Sequence, residues 1–450
     1  MKISDANFGD DQLKDFCQDE VSTRDSLPEF LPGIRGILFV ALVLRLIAAF
    51  AVDYLARRRG AICLFGDSPI YWLYGKAIAQ GTPYVVHQWD VPHYALRTPG
   101  YPLWLAANMA IFGENTLPVR IAQAVLGVCM VWWVYLLARS IGCSKRSAIL
   151  SALITAIDPF QIGLCALILS ESLFTPLLVA FVLGLVFVIR GLRKPTVSTG
   201  THASFVGIGV LQAVLGLVRP SWLAFLPVLV LTTAWIAERS HGVRKAVLVV
   251  SALIFGWGLT NMPWALRNSR QIGRFAISGT WGGATLYDSV RPGATGGSEM
   301  SFVADPQFRT LGEVEQDDLW KKLSIDAIRA EPRRMLKLAI QKQKRFWSIW
   351  PNESAKLPLI GKLASAAIIV PVWVAMVFGW HRNRHSGWTY LVLSPLFVTA
   401  LTHLVFVGSS RYRMAVIVPA MVLAGEGFLA MARAIPKRNR GNATTPVGGE

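Results

Sequence analysis

Long apolar runs separated by short polar turns dominate the chain. A helix crossing a bilayer needs about 20 apolar residues, and the run from Ile34 to Val52 qualifies. Later runs follow near 118–140, 145–158, 172–190, 203–218, 220–237, 244–260, 357–380, 388–407 and 412–432. The pattern predicts an all-α polytopic transmembrane bundle of about ten spans, with the short runs at 145–158 and 203–218 its least regular members. Basic residues fall between the runs in five groups. They are Arg139 with Lys145 and Arg146; Arg190 with Arg193 and Lys194; Arg239 with Arg244 and Lys245; Arg382 with Arg384; and Lys437 with Arg438 and Arg440. If all five face the cytoplasm, the spans alternate consistently and both termini are inside. The acidic segment 1–33 and the outward Arg57, Arg58 and Arg59 oppose this orientation, and the five groups outvote them. Segment 1–33 does not read as a cleaved signal peptide. The span-bearing module is 34–432, and the tail 433–450, basic and then Gly/Thr/Pro-rich, reads as disordered.

This alternation leaves two long outer segments, about 53–117 and 261–356, where function is to be sought. In the first, Asp67 or Ser68 can cap a short helix with Pro69 in its first turn. Tyr71, Tyr74 and Ile78 share a face, and Gly81 ends the helix ahead of Thr82, Pro83 and Tyr84. It reads as an interfacial helix with its aromatics among headgroups. A second short helix follows Arg97-Thr98-Pro99-Gly100-Tyr101-Pro102 and runs to Ile111 or Phe112, interfacial or re-entrant by its length. Asp67 is either a helix cap alone or a general base at the membrane surface, where lost hydration tunes a carboxylate for proton transfer. Asp53 reads as an interface charge. His87 and His93 are candidate metal ligands whose spacing of six fixes no geometry.

Glu171, behind Ser170, opens an apolar span. It is either a first-turn acid favoured by the helix dipole or a functional carboxylate at the bilayer edge. Asp158 before Pro159 reads as a turn residue. Arg411 and Arg413 flank Tyr412 at the outer start of the last span, the wrong side for orientation charges. They either snorkel or bind a lipid-linked phosphate with their planar forks. Asn261 to Asn268 opens the second outer segment, and Gly279-Thr280-Trp281-Gly282-Gly283 follows as a loop able to approach a sugar ring. Trp264 and Trp281 are belt anchors or sugar contacts. The stretch 314–350 reads as a surface helix, with Lys342, Lys344, Arg345, Phe346 and Trp347 on anionic headgroups. Glu426 lies inside the last span between two glycines, with no role assigned.

Composition agrees. Hydrophobic residues make up 53% of the 450 and charged residues 16%, well short of the roughly 25% charged in soluble chains. Mean hydropathy is +0.44. These values exclude a disordered protein, a disulfide scaffold and an ordinary cytosolic enzyme. The net charge of +18 sits beside apolar runs, as expected of membrane loops and not of a nucleic-acid binder. Cys17, Cys63, Cys129, Cys143 and Cys165 lack metal-ligand spacing.

The order of Asp67-Ser68 with Tyr71, Gly81-Thr82-Pro83-Tyr84, Arg97 to Pro102, Ser170-Glu171, Asn261 to Asn268 and Arg411-Tyr412-Arg413 resembles the GT-C membrane glycosyltransferases. The similarity is strongest to the bacterial branch related to the dolichyl-phosphate-mannose–protein mannosyltransferases and the lipid A aminoarabinose transferase. It runs through about 34–432. The resemblance implies a polyprenyl-phosphate sugar donor, an extracytoplasmic acceptor (glycan, lipid or protein) and a multi-pass protein of the inner membrane. It implies Asp67 as the catalytic carboxylate and Glu171 as a second acidic site. Arg97, Arg411 and Arg413 would contact the donor phosphate. Tyr71, Tyr84, Tyr101, Asn261, Trp264 and Tyr412 would line the substrate site. The resemblance leaves a divalent metal open, since some branches of the family use one and others do not. A lipid-linked sugar flippase or secondary transporter is the competing class. It should carry internal repeats and midplane breaks, and no convincing repeat stands out.

Overall fold

The computed structural model describes residues 33–61, 66–88, 91–194, 199–352 and 359–434. The acidic segment up to residue 32, the tail beyond Ala434 with its basic group, and Cys17 and Cys63 lie outside these residues. The chain opens with α1 (Ile34–Arg58), α2 (Ser68–Ala79), the strands β1 (Val86–Gln88) and β2 (Val91–His93), α3 (Gly100–Phe112) and α4 (Thr116–Ser140). Then come α5 (Lys145–Ile157), α6 (Pro159–Ala166), α7 (Glu171–Leu192), α8 (Thr199–Val218), α9 (Phe225–His241) and α10 (Val243–Ile272). The second outer segment holds α11 (Gly282–Val290), α12 (Pro306–Arg309), α13 (Glu313–Ala330) and α14 (Pro332–Phe346). The chain closes with α15 (Leu359–Arg382), α16 (Gly387–Val405), α17 (Ser410–Val416) and α18 (Met421–Ala434).

Among the described residues, 8 helices are long and apolar enough to cross a membrane, or up to 10 if each of two bent pairs is one span. The bent pairs are α5 with α6, at 52°, and α17 with the helix continuing to Ala434, at 57°. The short run at 145–158 is therefore one arm of a broken helix. Its break falls where Asp158 caps α6 by accepting from Phe160 N at 2.9 Å, and Pro159 brings no N–H. A break inside an apolar layer frees carbonyls that water cannot satisfy. Arg45, fully buried in α1, donates to Ala156 O at 3.0 Å and Thr155 O at 3.1 Å. Arg120 of α4 does the same for Ala166 O at the end of α6, at 2.5 Å. Cations on helix C-termini also complement the helix dipole. Lys342 donates to Val405 O at the end of α16, and Arg413 to Phe346 O at the end of α14.

Some helices pack closely enough that only glycine fits between their backbones. A Cβ on Gly379 would strike the Leu423 backbone, and one on Gly427 the Ala375 backbone. These glycines let α15 and α18 approach as small residues do in membrane bundles. The core gathers α7 residues such as Phe174, Leu178, Phe181 and Val182 against Trp222, Phe225 and Leu396.

The bundle has two chemically distinct ends. At one, Arg190 bonds Ser140 O, His241 bonds Leu192 O, and Arg193 lies over Trp388 at 5.2 Å. The basic turns thus meet there. At the other lie the starts of α2, α7 and α17 and the end of α8.

Three sequence expectations change. Residues 261–268 are not loop: α10 continues to Ile272, so Asn261, Trp264 and Asn268 sit on helical turns. The stretch 314–350 is not one surface helix but two, α13 and α14, and Lys342 and Phe346 are buried in the protein. The Lys342 ammonium finds an acceptor at Val405 O, which an outward-facing lysine would leave empty. Asp53 is not a free interface charge: it is 4% exposed and accepts from Arg57 at 2.7 Å and Thr116 at 2.6 Å.

Candidate active site

Five charged side chains from four parts of the chain form one chain of ion pairs. Asp67 stands at the N-cap position of α2, yet its side chain makes no cap bond. The helix start is held by Pro69 and the backbone, which frees the carboxylate. Arg97 Nη2 donates to Asp67 Oδ1 at 3.1 Å and Arg411 Nη1 to Oδ2 at 3.3 Å. Arg411 also forks onto Glu171, Nε to Oε1 at 2.5 Å and Nη2 to Oε2 at 3.1 Å. Arg219 Nη1 reaches Glu171 Oε1 at 2.8 Å. The order is Arg97, Asp67, Arg411, Glu171, Arg219: three guanidiniums alternating with two carboxylates.

Local sequence explains each position. Arg97 precedes Pro99 and Gly100, and a Cβ at Gly100 would meet the Leu217 and Val218 backbone within 2.6 Å. Glycine therefore seats the Arg97 turn against the end of α8, next to Arg219. Arg219 is extended, as a residue before proline tends to be, with φ −145° and ψ 100°. Glu171 occupies the first turn of α7, where a negative charge suits the helix dipole, and Ser170 Oγ donates to it at 3.3 Å. Arg411 N is capped by Ser409 Oγ at 3.3 Å, and Asn352 Oδ1 accepts from Ser410 N at 2.5 Å.

Exposure separates the two carboxylates. The Asp67 side chain is 41% exposed and that of Glu171 0%. Aromatic rings frame the cations: Arg97 lies over Tyr71 at 5.7 Å and Trp281 at 5.4 Å, and Arg219 over Tyr412 at 4.8 Å. Tyr412 in turn stacks on His403, centroids 4.5 Å apart.

The remaining sequence candidates are held by other partners. Arg413, two residues from Arg411, is 2% exposed and donates to Phe346 O at 2.7 Å and Ser348 O at 2.6 Å. Tyr101 is buried beneath Tyr71, its hydroxyl bonded to the Gln123 amide at 2.7 Å. Tyr84 stacks on Tyr74 and meets Trp264 edge-on, while its hydroxyl donates to Arg97 O at 3.0 Å. Arg267 clamps that group by donating to Tyr94 O at 2.5 Å and Tyr84 O at 2.9 Å. Asn261 is buried and donates to Trp257 O at 3.0 Å.

The second outer segment closes over the first through Glu313. Its carboxylate accepts from Tyr94 N at 2.6 Å, Ala95 N at 2.9 Å and Thr280 Oγ1. A Cβ on Gly279 would lie 2.7 Å from Ala95 O, so the glycine-rich loop approaches protein backbone and carries Trp281 over Arg97. Burial raises the Glu313 carboxyl above its ordinary value. Burial, then the neighbouring His87, lowers the His93 imidazole to about 4.

A metal does not suit these residues. His93 pairs with Val86 and His87 with Pro92 in the hairpin, so the two imidazoles project from opposite faces. Among the described residues no group of three His, Cys, Asp or Glu converges. The charged groups on Asp67 are guanidiniums, which oppose a divalent cation.

Arg219 and Glu313 were not singled out in the sequence. Arg219 had a readable signal, an arginine at the outer end of a span where orientation charges do not belong. Glu313 had none, because it accepts from two backbone amides more than 200 residues away and from the Thr280 hydroxyl.

The dolichyl-phosphate-mannose-protein mannosyltransferase family model matches residues 96–264, the part that holds Arg97, Glu171 and Arg219. No curated protein matches the chain. Among solved structures, the oligosaccharyltransferase AglB of Archaeoglobus fulgidus, in complex with an inhibitory peptide and a dolichol-phosphate, is 13% identical with TM-score 0.54, over 90% of this chain and 52% of its own. The apo form of the Archaeoglobus fulgidus oligosaccharyltransferase is 14% identical with TM-score 0.55, over 90% and 52%. ArnT of Cupriavidus metallidurans bound to undecaprenyl phosphate lies further off, 14% identical with TM-score 0.43 over 89% and 78%. The chain spans about half the length of the archaeal enzymes it matches. The family model matches a stretch shorter than half of the chain, and in fold the chain is similar to the archaeal oligosaccharyltransferase.

Proposed function

We propose that this protein transfers a sugar from a polyprenyl-phosphate donor to an acceptor hydroxyl at the membrane surface. The observation that carries the reading is the alternating network ending in an exposed carboxylate. Three guanidiniums against two carboxylates leave one net positive charge. That balance suits the single negative charge of a sugar phosphodiester better than a diphosphate. The dolichol-phosphate in the archaeal structure supports the same donor class.

In the proposed reaction the donor phosphate takes guanidinium contacts from Arg97 and Arg411. Asp67 loses part of its pairing and turns to the acceptor. The acceptor oxygen attacks the anomeric carbon, its proton passes to Asp67, and the carbon–oxygen bond to phosphate breaks with the electron pair on phosphate. Fixed cations beside that developing charge lower the barrier. A single displacement inverts the anomeric configuration. Glu171, buried with both oxygens occupied, holds Arg411 and Arg219 in position and does not touch substrate. The basic groups at Arg139, Arg190, Arg239 and Arg382 support a cytoplasmic reading of their end, and with it an extracytoplasmic site at the plasma membrane.

The test is transfer by the purified protein in nanodiscs, given a panel of polyprenyl-monophosphate sugars and their diphosphate counterparts. Inverted product from the monophosphate series alone is expected. Near wild-type turnover by Asp67→Asn would remove Asp67 from the chemistry. Net donor flipping without glycosidic product would favour a transporter. Mass spectrometry of envelope glycolipids and glycoproteins in a deletion strain would identify the acceptor.

A further inference from the structure

Among the described residues, nothing in the bundle covers the exposed face of α14. Its buried face is Leu338, Lys342 and Phe346. On the opposite side Leu336 is 69% exposed, Ile340 58% and Trp347 37%, and Arg333, Lys337 and Lys344 are exposed with them. At about 100° per residue these six fall within an arc of about 100°. Across that arc they are sorted: Leu336, Trp347 and Ile340 on one flank, Arg333, Lys344 and Lys337 on the other. A water-facing helix has no reason to gather three large apolar side chains on its exposed face, and a helix core-packed on both sides has no reason to set three cations beside them.

The height of the helix is fixed by its buried face. Lys342 Nζ donates to Val405 O at 2.5 Å, and Gln343 Nε2 to Ala400 O at 2.8 Å. Both acceptors lie in the last turns of α16, a candidate span. Leu401, Leu404 and Val405 on those turns are 64%, 39% and 49% exposed. Trp347 meets Trp373 of α15 edge-on at 6.3 Å. The exposed apolar flank therefore continues the apolar surface at the end of α16, with Trp347 packed against α15.

We infer that α14 is a membrane-surface helix that docks on anionic phospholipid headgroups at the site end of the bundle. Leu336, Ile340 and Trp347 enter the acyl boundary, and Arg333, Lys337 and Lys344 meet the phosphates. The helix leads through Ser348, Asn352 and the Ser410 cap to Arg411, so a lipid surface would steady one wall of the site.

The inference is read by hydrogen–deuterium exchange of 332–347 in the full chain, in nanodiscs of phosphatidylcholine with or without phosphatidylglycerol. Phosphatidylglycerol is expected to slow exchange in α14 severalfold, and high salt to reverse the effect. The triple variant Arg333→Glu, Lys337→Glu, Lys344→Glu should lose the lipid response while other segments exchange as before. Equal exchange in both lipids overturns the inference, as does full lipid protection retained by the triple variant. Should that variant not fold, the wild type decides: protection that salt leaves untouched overturns it as well. None of these readouts depends on sugar transfer.

Discussion

Asp67 and Glu171 share Arg411 but differ in burial, and that difference separates what their loss should do. Asp67→Asn removes a half-exposed acceptor. Turnover should fall about 10²- to 10⁴-fold, the range for a lost general base, with the thermal unfolding midpoint nearly unchanged in a detergent-solubilised melt. Glu171→Gln leaves two guanidiniums beside a neutral amide at a fully buried position. Breaking a buried pair costs about 3–5 kcal/mol, so the midpoint should drop by many degrees, and a melt that does not move would show Glu171 to be dispensable for Arg411 and Arg219. His93 supplies a pH effect. An unfolded chain takes a proton near pH 6.5, whereas the folded site resists it down to about 4. Stability therefore falls with acid across that window, by up to about 3 kcal/mol. Glu313 acts oppositely: burial raises its carboxyl, so its contribution is present at low pH and fades as pH rises through the folded value. Melts of wild type and His93→Asn between pH 7 and 4 separate the two, and the variant should lose less on acidification. At this scale the sequence made Asp67, Glu171 and Arg411 legible, because charges at helix starts beside apolar runs need a reason. It could not set Arg413 apart from Arg411. Both flank Tyr412 in the sequence, and only the fold sends one to a carboxylate and the other to carbonyls.

Helix elements were legible as apolar runs, but their ends were not. The α5–α6 break follows from Pro159, yet what makes it tolerable is Arg45, more than 100 residues earlier. Arg45→Met should strand the Thr155 and Ala156 carbonyls. Charged hydrogen bonds contribute roughly 1.5–3 kcal/mol each, so a large drop in the yield of folded protein and in its melting midpoint is expected, read by fluorescence-detected gel filtration. A variant as stable as wild type would mean that water reaches the break. The α10 boundary moved for a related reason. Hydropathy falls after 260, and a helix emerging from the bilayer keeps its own backbone bonds, so loss of apolar character does not end it.

For the whole molecule, the two ends of the bundle predict accessibility. In a cysteine-free background, Glu299→Cys should react with an impermeant maleimide in intact cells, and Arg384→Cys only after lysis. The opposite pattern would reverse the proposed orientation. By itself the sequence determined that this is a membrane-spanning helical protein with about ten apolar runs, and which charges stand out of place. Hydropathy and charge act residue by residue and are read in order along the chain. The tertiary structure alone decided that residues 67, 97, 171, 219 and 411 make one network, and that Glu313 clasps the two outer segments. Such pairings depend on where helix ends meet in space, and ion pairs across hundreds of residues leave no periodicity in the chain that forms them.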